Sequence, residues 1–123
     1  MKHRIEEFTL DGRNFIYLDL SGFKENSEYK EFVAVAKESI AKYAEYSLFT
    51  ITNIRDVKFD TETKKIIAEW VEYNKPYVKR GAVIGFDGIK RMVVNAVFKM
   101  VDRKNMVFFP SREQAVEWLL KQE

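Results

Sequence analysis

The sequence contains no cysteine and a single histidine, His3, among its 123 residues. A chain without cysteine has no disulfide, no thiolate metal site and no cysteine nucleophile. His3 lies in a terminus that we expect to be mobile, so neither a histidine-based catalytic triad nor a histidine-rich metal site can be built within one chain. No segment approaches the roughly 20 apolar residues that cross a bilayer, and residues 1–7 lack the apolar stretch of a signal peptide. We therefore expect a cytoplasmic protein without a transmembrane segment.

A strong charge of one sign is also missing, because the net charge is only +2. Nucleic-acid binding normally requires a concentrated basic face, so we do not expect it here. No carboxylate pair, nucleophile with a base, metal cluster or cofactor motif can be assembled, which disfavours an enzyme and predicts no cofactor. The balance of 46% hydrophobic and 33% charged residues is typical of a globular protein. At this length we expect a single domain that spans residues 1–123.

The first half of the chain predicts a hairpin, a helix, a strand and a second helix. Residues 4–10 and 14–20 are strand-like, and Asp11-Gly12 between them is a strong hairpin signal. A helical repeat of apolar residues runs from Tyr29 to Ala44, with Asn26 or Ser27 as its cap. Residues 47–54 predict a central strand. A second helix is expected to begin near Asp60 and to end before Pro76.

The second half predicts two further strand–helix pairs. Residues 82–86 are short and apolar, which is typical of a strand that is covered on both faces. Asp87-Gly88 then caps a third helix that runs to about Asp102. Residues 105–109 form the final strand, and Ser111 and Gln114 are spaced for a capping box on the last helix. The order ββαβαβαβα predicts an α/β fold with a mostly parallel sheet, an N-terminal antiparallel hairpin and helices packed over it.

Two segments carry residues that a function might use. The third helix places Ile89, Met92, Val93, Ala96, Val97 and Met100 on one apolar stripe, while Val94 and Phe98 point away from it. Either another part of the chain covers Val94 and Phe98, or these residues form, with Arg91, a surface for a partner or a ligand. Residues 74–80 gather three positive charges, and they form either a solvated loop or a place for an anionic group.

The element order, the residues Phe59-Asp60-Thr61 and the ending Phe109-Pro110-Ser111-Arg112-Glu113-Gln114-Ala115-Val116-Glu117-Trp118-Leu119 together resemble a known superfamily. The chain is similar to the STAS superfamily of anti-sigma-factor antagonists, and within it to the small stand-alone SpoIIAA-like proteins. The stretch Lys75-Pro76-Tyr77-Val78-Lys79-Arg80, followed by Ala82-Val83-Ile84-Gly85, adds to the resemblance.

The resemblance implies a phosphorylation site at the start of the second helix, where a kinase-like anti-sigma factor modifies a Ser or Thr. Thr61 matches that position, with Asp60 before it and Thr63 as the second candidate. The chain departs from the family pattern, because Thr61 is followed by Glu62-Thr63-Lys64 with no glycine. Asp60 and Thr61 acting as a helix cap is therefore the favoured interpretation.

We expect a non-enzymatic regulatory module that works by protein contact through its second and third helices and that self-associates, as a homodimer for example. The alternative is a carrier or sensor of a small apolar or lipid-like ligand, because the SpoIIAA-like fold is similar to lipid-binding Sec14-type domains. In that case the third helix would form one wall of the ligand site. The sequence does not identify the partner, the ligand or the pathway.

Overall fold

The structure is a computed structural model, and it describes residues 1–122. A short 3-10 turn at Lys2–Arg4 precedes the first strand. The strands are β1 (Ile5–Leu10), β2 (Arg13–Asp19), β3 (Leu48–Asn53), β4 (Val78–Ile84) and β5 (Met106–Phe108). The helices are α1 (Asn26–Ile40), α2 (Thr61–Asn74), α3 (Gly88–Met100) and α4 (Arg112–Leu120). The predicted order ββαβαβαβα is therefore confirmed.

The strands form one sheet in the order β1-β2-β3-β4-β5. β1 and β2 are antiparallel, and each later strand is parallel to its neighbour. Asp11 and Gly12 connect β1 to β2 with φ angles of +50° and +74°. Two positive φ angles in a row are typical of the turn whose twist matches that of the flanking strands. The predicted hairpin and the mostly parallel sheet are both confirmed.

Helices cover the sheet on both faces. On one face α1, α2 and α3 pack over side chains such as Ile16, Leu18 and Val83. On the other face α4 packs over alternate positions of the same strands, and its Ala115 and Leu119 are fully buried. Because successive strand residues point to opposite faces, β4 must be apolar where helices cover both faces of the sheet. Residues 81–84 are indeed buried without a break.

The bounds of two elements, α1 and β4, differ from the prediction. α1 ends at Ile40, and Tyr43 lies in the following turn, where its hydroxyl donates to Glu7 of β1 at 2.6 Å. β4 begins at Val78 rather than at Ala82, because Lys79 and Arg80 are strand residues despite their charge. It ends at Ile84, where Gly85 takes a φ of +76° and turns the chain.

The cap of α1 also differs from the prediction, because Glu25 precedes the helix instead of Asn26 or Ser27. The carboxylate of Glu28 accepts a hydrogen bond from the backbone N–H of Glu25 at 3.0 Å. Asn26, the first residue of the helix, is free to bond elsewhere. Its side chain reaches the start of α2.

α3 buries the side that carries Val94 and Phe98, together with Val97 from the predicted apolar stripe. Val94, Val97 and Phe98 are buried, whereas Ile89, Met92 and Met100 are exposed. Of the two alternatives, the one in which another part of the chain covers Val94 and Phe98 is confirmed, and the one in which they form an exterior partner surface is wrong. The sequence left the two alternatives open because both faces of the helix satisfy helical spacing. The stripe that packs inward is the one whose Phe98 ring meets Phe108 of β5, at a centroid distance of 6.3 Å.

Candidate functional site

The start of α2 is held by a compact set of hydrogen bonds. Asp60 caps the helix, and its carboxylate accepts from the backbone N–H of Thr63 at 2.8 Å. In return, the Thr63 hydroxyl accepts from the backbone N–H of Asp60 at 3.2 Å. This reciprocal pair is a capping box, which satisfies two backbone donors that the helix leaves without partners. The sequence prediction that Asp60 begins the helix is confirmed.

Asn26 of α1 ties this cap to the neighbouring helix. Its amide nitrogen lies 3.2 Å from each carboxylate oxygen of Asp60, and its carbonyl oxygen lies 2.5 Å from the Thr63 hydroxyl. The Thr63 backbone N–H, followed by the side chains of Asn26 and Thr63, lowers the pKa of Asp60 below its ordinary value. The cap is therefore also a link between α1 and α2, and sequence reasoning missed the part that Asn26 plays in it.

Thr61 and Thr63 occupy different environments although they are two residues apart. Thr63 is only 1% exposed, and its hydroxyl bonds to Asp60 and Asn26. Thr61 is exposed at the first position of the helix. Glu62, between them, lies 3.7 Å from Lys30 of α1 as an exposed ion pair. Of the two candidate hydroxyls, the one that a kinase can reach without unfolding the cap is that of Thr61.

The exposed side of α3 is apolar. Ile89, Met92 and Met100 are 76%, 74% and 67% exposed, and Ala96 lies exposed between them. At about 100° of rotation per residue, these four positions share one face of the helix. The helix carries three basic residues, Lys90, Arg91 and Lys99, and no acidic one. We call the four apolar residues the α3 stripe.

Arg91, the third residue predicted for a partner or ligand surface, is exposed near the start of α3. Its guanidinium lies over the rings of Phe86 and Phe108, at 5.5 and 5.0 Å from their centroids. This cation–π contact joins α3 to the end of β5. Arg91 therefore has a structural contact, and its role in binding stays a prediction.

An internal cavity of about 50 Å³ lies between the sheet and helices α2 and α3. Val94 and Phe98 line it, together with Trp70 and Asn74 of α2. The Trp70 Nε1 and Asn74 Oδ1 atoms are buried without a hydrogen-bond partner in the protein. The other lining residues are mostly apolar. Val94 and Phe98 thus contact an interior space, and whether a ligand enters it stays a prediction.

Within residues 1–122, no three histidine or carboxylate side chains come together as they would around a metal ion. None of the helices in this range combines the length and the apolar character that crossing a membrane requires.

No protein-family model and no curated protein matches the sequence. Among the solved structures with a similar fold is an uncharacterized protein of the DUF3478 family with a SpoIIAA-like fold, from Shewanella loihica PV-4. The TM-score is 0.70 at 13% identity, and the match covers 94% of this chain and 91% of that chain. Another is an anti-sigma-factor antagonist (STAS) domain protein from Planctomyces limnophilus. Here the TM-score is 0.60 at 10% identity, with 94% of this chain and 97% of that chain covered.

These likenesses concern the fold, and they confirm the STAS/SpoIIAA-like architecture that the sequence suggested. At this level of identity the neighbours do not transfer a partner, a ligand or a site.

Proposed function

We propose that this protein is a non-enzymatic regulatory module that acts by binding a protein through the α3 stripe. The observation that carries the proposal is the exposure of Ile89, Met92 and Met100 along one side of one helix. Contiguous exposed apolar residues are typical of protein-contact surfaces. Methionine suits such a surface because its flexible, polarizable side chain adapts to different partners.

The charges of α3 indicate the chemistry of the partner. Lys90 pairs with Asp87 at 3.1 Å, while no ion pair within the described residues involves Arg91 or Lys99. A partner surface with apolar residues flanked by carboxylates would complement the stripe and these two basic residues. The partner is either another protein or a second copy of this chain.

Thr61 is our candidate for regulation of this contact. α2 and α3 are neighbours, and each follows a parallel strand, so both helices start at the same edge of the sheet. A phosphoryl group on Thr61 would add about two negative charges at that edge. The fold neighbour that is an anti-sigma-factor antagonist supports this hypothesis by analogy of fold.

A carrier or sensor of a small apolar ligand is the alternative. The internal cavity is consistent with it, because Val94 and Phe98 of α3 line that cavity. Its volume of about 50 Å³ is well below the roughly 300–1,000 Å³ of ordinary ligand pockets. A lipid-like molecule would require α3 to move away from the sheet. The cavity as it stands suits a few water molecules, so protein contact is the better supported function.

Quantitative affinity purification of the tagged wild type and of an Ile89→Gln/Met92→Gln variant tests the proposal. Leu10→Gln is the matched control, because Leu10 is an exposed apolar residue of β1 outside the stripe. We expect one or more proteins to be retained by the wild type and the control and lost from the stripe variant. The purified partner should then bind the stripe variant at least about tenfold more weakly in calorimetry. Equal capture by all three proteins would contradict the proposal.

Native mass spectrometry separates the remaining alternatives. A mass that doubles with concentration in the wild type, and not in the stripe variant, would identify a second copy as the partner. An additional small mass that disappears on denaturation would favour the carrier.

A further inference from the structure

A cleft separate from the internal cavity lies where β3, β4 and β5 begin. This is the end of the sheet opposite to the one at which α2 and α3 start. The volume of the cleft is about 370 Å³. Three separate parts of the chain line it: the segment before β3, the segment from the end of α2 into β4, and the loop between α3 and β5. The residues are Tyr46, Lys75, Arg80, Arg103, Lys104 and Asn105, with Asp102 as the one acidic member.

The loop between α3 and β5 is fixed over the start of β4. The side-chain amide of Asn105 donates to the backbone carbonyls of Val78 and Lys79, at 2.9 and 3.0 Å. Its carbonyl oxygen accepts from Nε of Arg103 at 2.6 Å. These hydrogen bonds hold the loop that carries Arg103 against the start of β4.

Arg103 is an unusually buried cation. It is only 7% exposed, and a second nitrogen of its guanidinium donates to the Val71 carbonyl at 3.0 Å. Burial lowers the pKa of Arg103 to about 10, although Glu72 and Tyr46 act on it in the opposite direction. Among residues 1–122, no carboxylate forms an ion pair with Arg103. Because the hydrogen bonds of this buried cation go to neutral groups and no carboxylate pairs with it directly, an anion nearby would stabilise its charge.

Arg80 adds a second guanidinium with unused hydrogen-bonding capacity. Its Nε is buried and has no partner in the protein. No described carboxylate pairs with Arg80 either, and Asp102 pairs with Lys104 at 3.4 Å on the exposed side. Lys75 donates to the Val101 carbonyl at 2.9 Å and keeps its charge at the cleft. The cleft thus carries four cationic side chains against one carboxylate.

We propose that this cleft binds a small soluble oxyanion, a phosphate or carboxylate group, through Arg80 and Lys104, with Arg103 supplying fixed positive charge. Guanidinium groups match such oxyanions because their planar N–H donors bind two oxygens at once. The exposed Tyr46, which also lines the cleft, offers a hydroxyl and an aromatic face to the rest of the molecule. This site is separate from the α3 stripe, so it can fail or succeed independently of the proposed protein contact.

Titration of isotope-labelled protein by NMR tests the proposal, with inorganic phosphate and succinate as separate probes at constant ionic strength. We expect saturable shifts of the backbone amides of residues 46 and 102–105. Arg80→Gln should weaken this binding at least about tenfold, since hydrogen bonds to charged groups contribute that much. Arg55→Gln is the matched control, because Arg55 is an exposed arginine in the loop after β3, at the other edge of the sheet.

The spectrum of free Arg80→Gln also reports whether that variant is folded. If it is not, Lys104→Gln replaces it, because Lys104 is highly exposed and its loss cannot disturb the core. Saturation by one probe alone identifies the phosphate or the carboxylate as the preferred group. Shifts that do not saturate, that scatter over the surface lysines, or that persist unchanged in both cleft variants would overturn the proposal.

Discussion

The two faces of α3 carry side chains of the same chemical kind and differ completely in environment. Val94, Val97 and Phe98 are buried against the sheet, and the α3 stripe on the other side faces solvent. Helical spacing describes both faces equally well. An apolar stripe in a sequence therefore shows that one side of a helix is apolar, but it does not show whether the rest of the chain covers that side.

The same contrast appears between Thr61 and Thr63 at the start of α2. Thr63 is enclosed by Asp60 and by Asn26 of the neighbouring helix, whereas Thr61 is exposed one position before Glu62. Identical side chains in one helical turn are thus available for different roles. The inner hydroxyl belongs to the hydrogen bonds of the cap, and the outer threonine is exposed to solvent.

The largest expected effect tests the buried face of α3. Phe98→Ala should lower the free energy of unfolding by about 3–5 kcal/mol, because it removes a ring that is 6% exposed and leaves a larger cavity. Met100→Ala, on the exposed face two residues away, should change it by less than about 0.5 kcal/mol. Urea denaturation of both variants makes the comparison. Similar small losses in the two would show that Phe98 is not part of the core.

A smaller effect distinguishes the two threonines. Thr63→Val keeps the shape of the side chain and removes a hydroxyl that bonds to Asp60 and Asn26. We expect a loss of about 1–2 kcal/mol in the free energy of unfolding, since Asn26 and Asp60 then lack a partner. Thr61→Val is the control and should stay within about 0.5 kcal/mol of the wild type. Equal losses would contradict the assignment of Thr63 as the structural residue.

The smallest expected effect is a change in the acid dependence of stability. The pKa of Asp60 in the folded protein lies below its ordinary value of 3.8, mainly because the Thr63 backbone N–H donates to the carboxylate. The unfolded chain therefore binds a proton more readily, and stability falls as the pH drops below about 3.8 through the folded pKa. Asp60→Asn keeps the capping oxygen and removes the titration.

Unfolding measured between pH 5 and 2.5 on an about half-unit grid resolves this slope. The wild type should lose stability more steeply with acid than Asp60→Asn. Parallel curves for the two proteins would mean that Asp60 does not contribute to the acid dependence.

Much of the fold could be predicted because its signals are local. Asp11-Gly12 forms the hairpin turn, Asp60 and Asp87 cap α2 and α3, and Ser111 caps α4 with its hydroxyl accepting from the backbone N–H of Gln114 at 3.2 Å. Each of these signals acts on the backbone angles or hydrogen bonds of residues at most a few positions away. A sequence window of that length contains everything that they require.

The features that could not be predicted join distant parts of the chain. The capping box of α2 reaches Asn26, which is 37 residues before Thr63. Asn26, which the sequence offered as the cap of α1, is instead the first residue of that helix. The cationic cleft combines Tyr46 and Arg80 with the loop around Arg103. The basic segment 74–80 could be recognised in the sequence. That Tyr46 and residues 102–105 lie beside it could not, because no local sequence pattern shows which loops meet at one end of a sheet.

Short-range preferences of the backbone therefore determined the order of strands and helices and the position of most caps. The mostly parallel sheet follows from that order. Only the tertiary structure decided which face of α3 is buried, which threonine is enclosed and which cations share a cleft. The physical reason is that burial depends on the packing of a helix against the whole sheet. When two faces of a helix have similar apolar character, the neighbouring elements, here β5 with Phe108 and helix α2, select the one that turns inward.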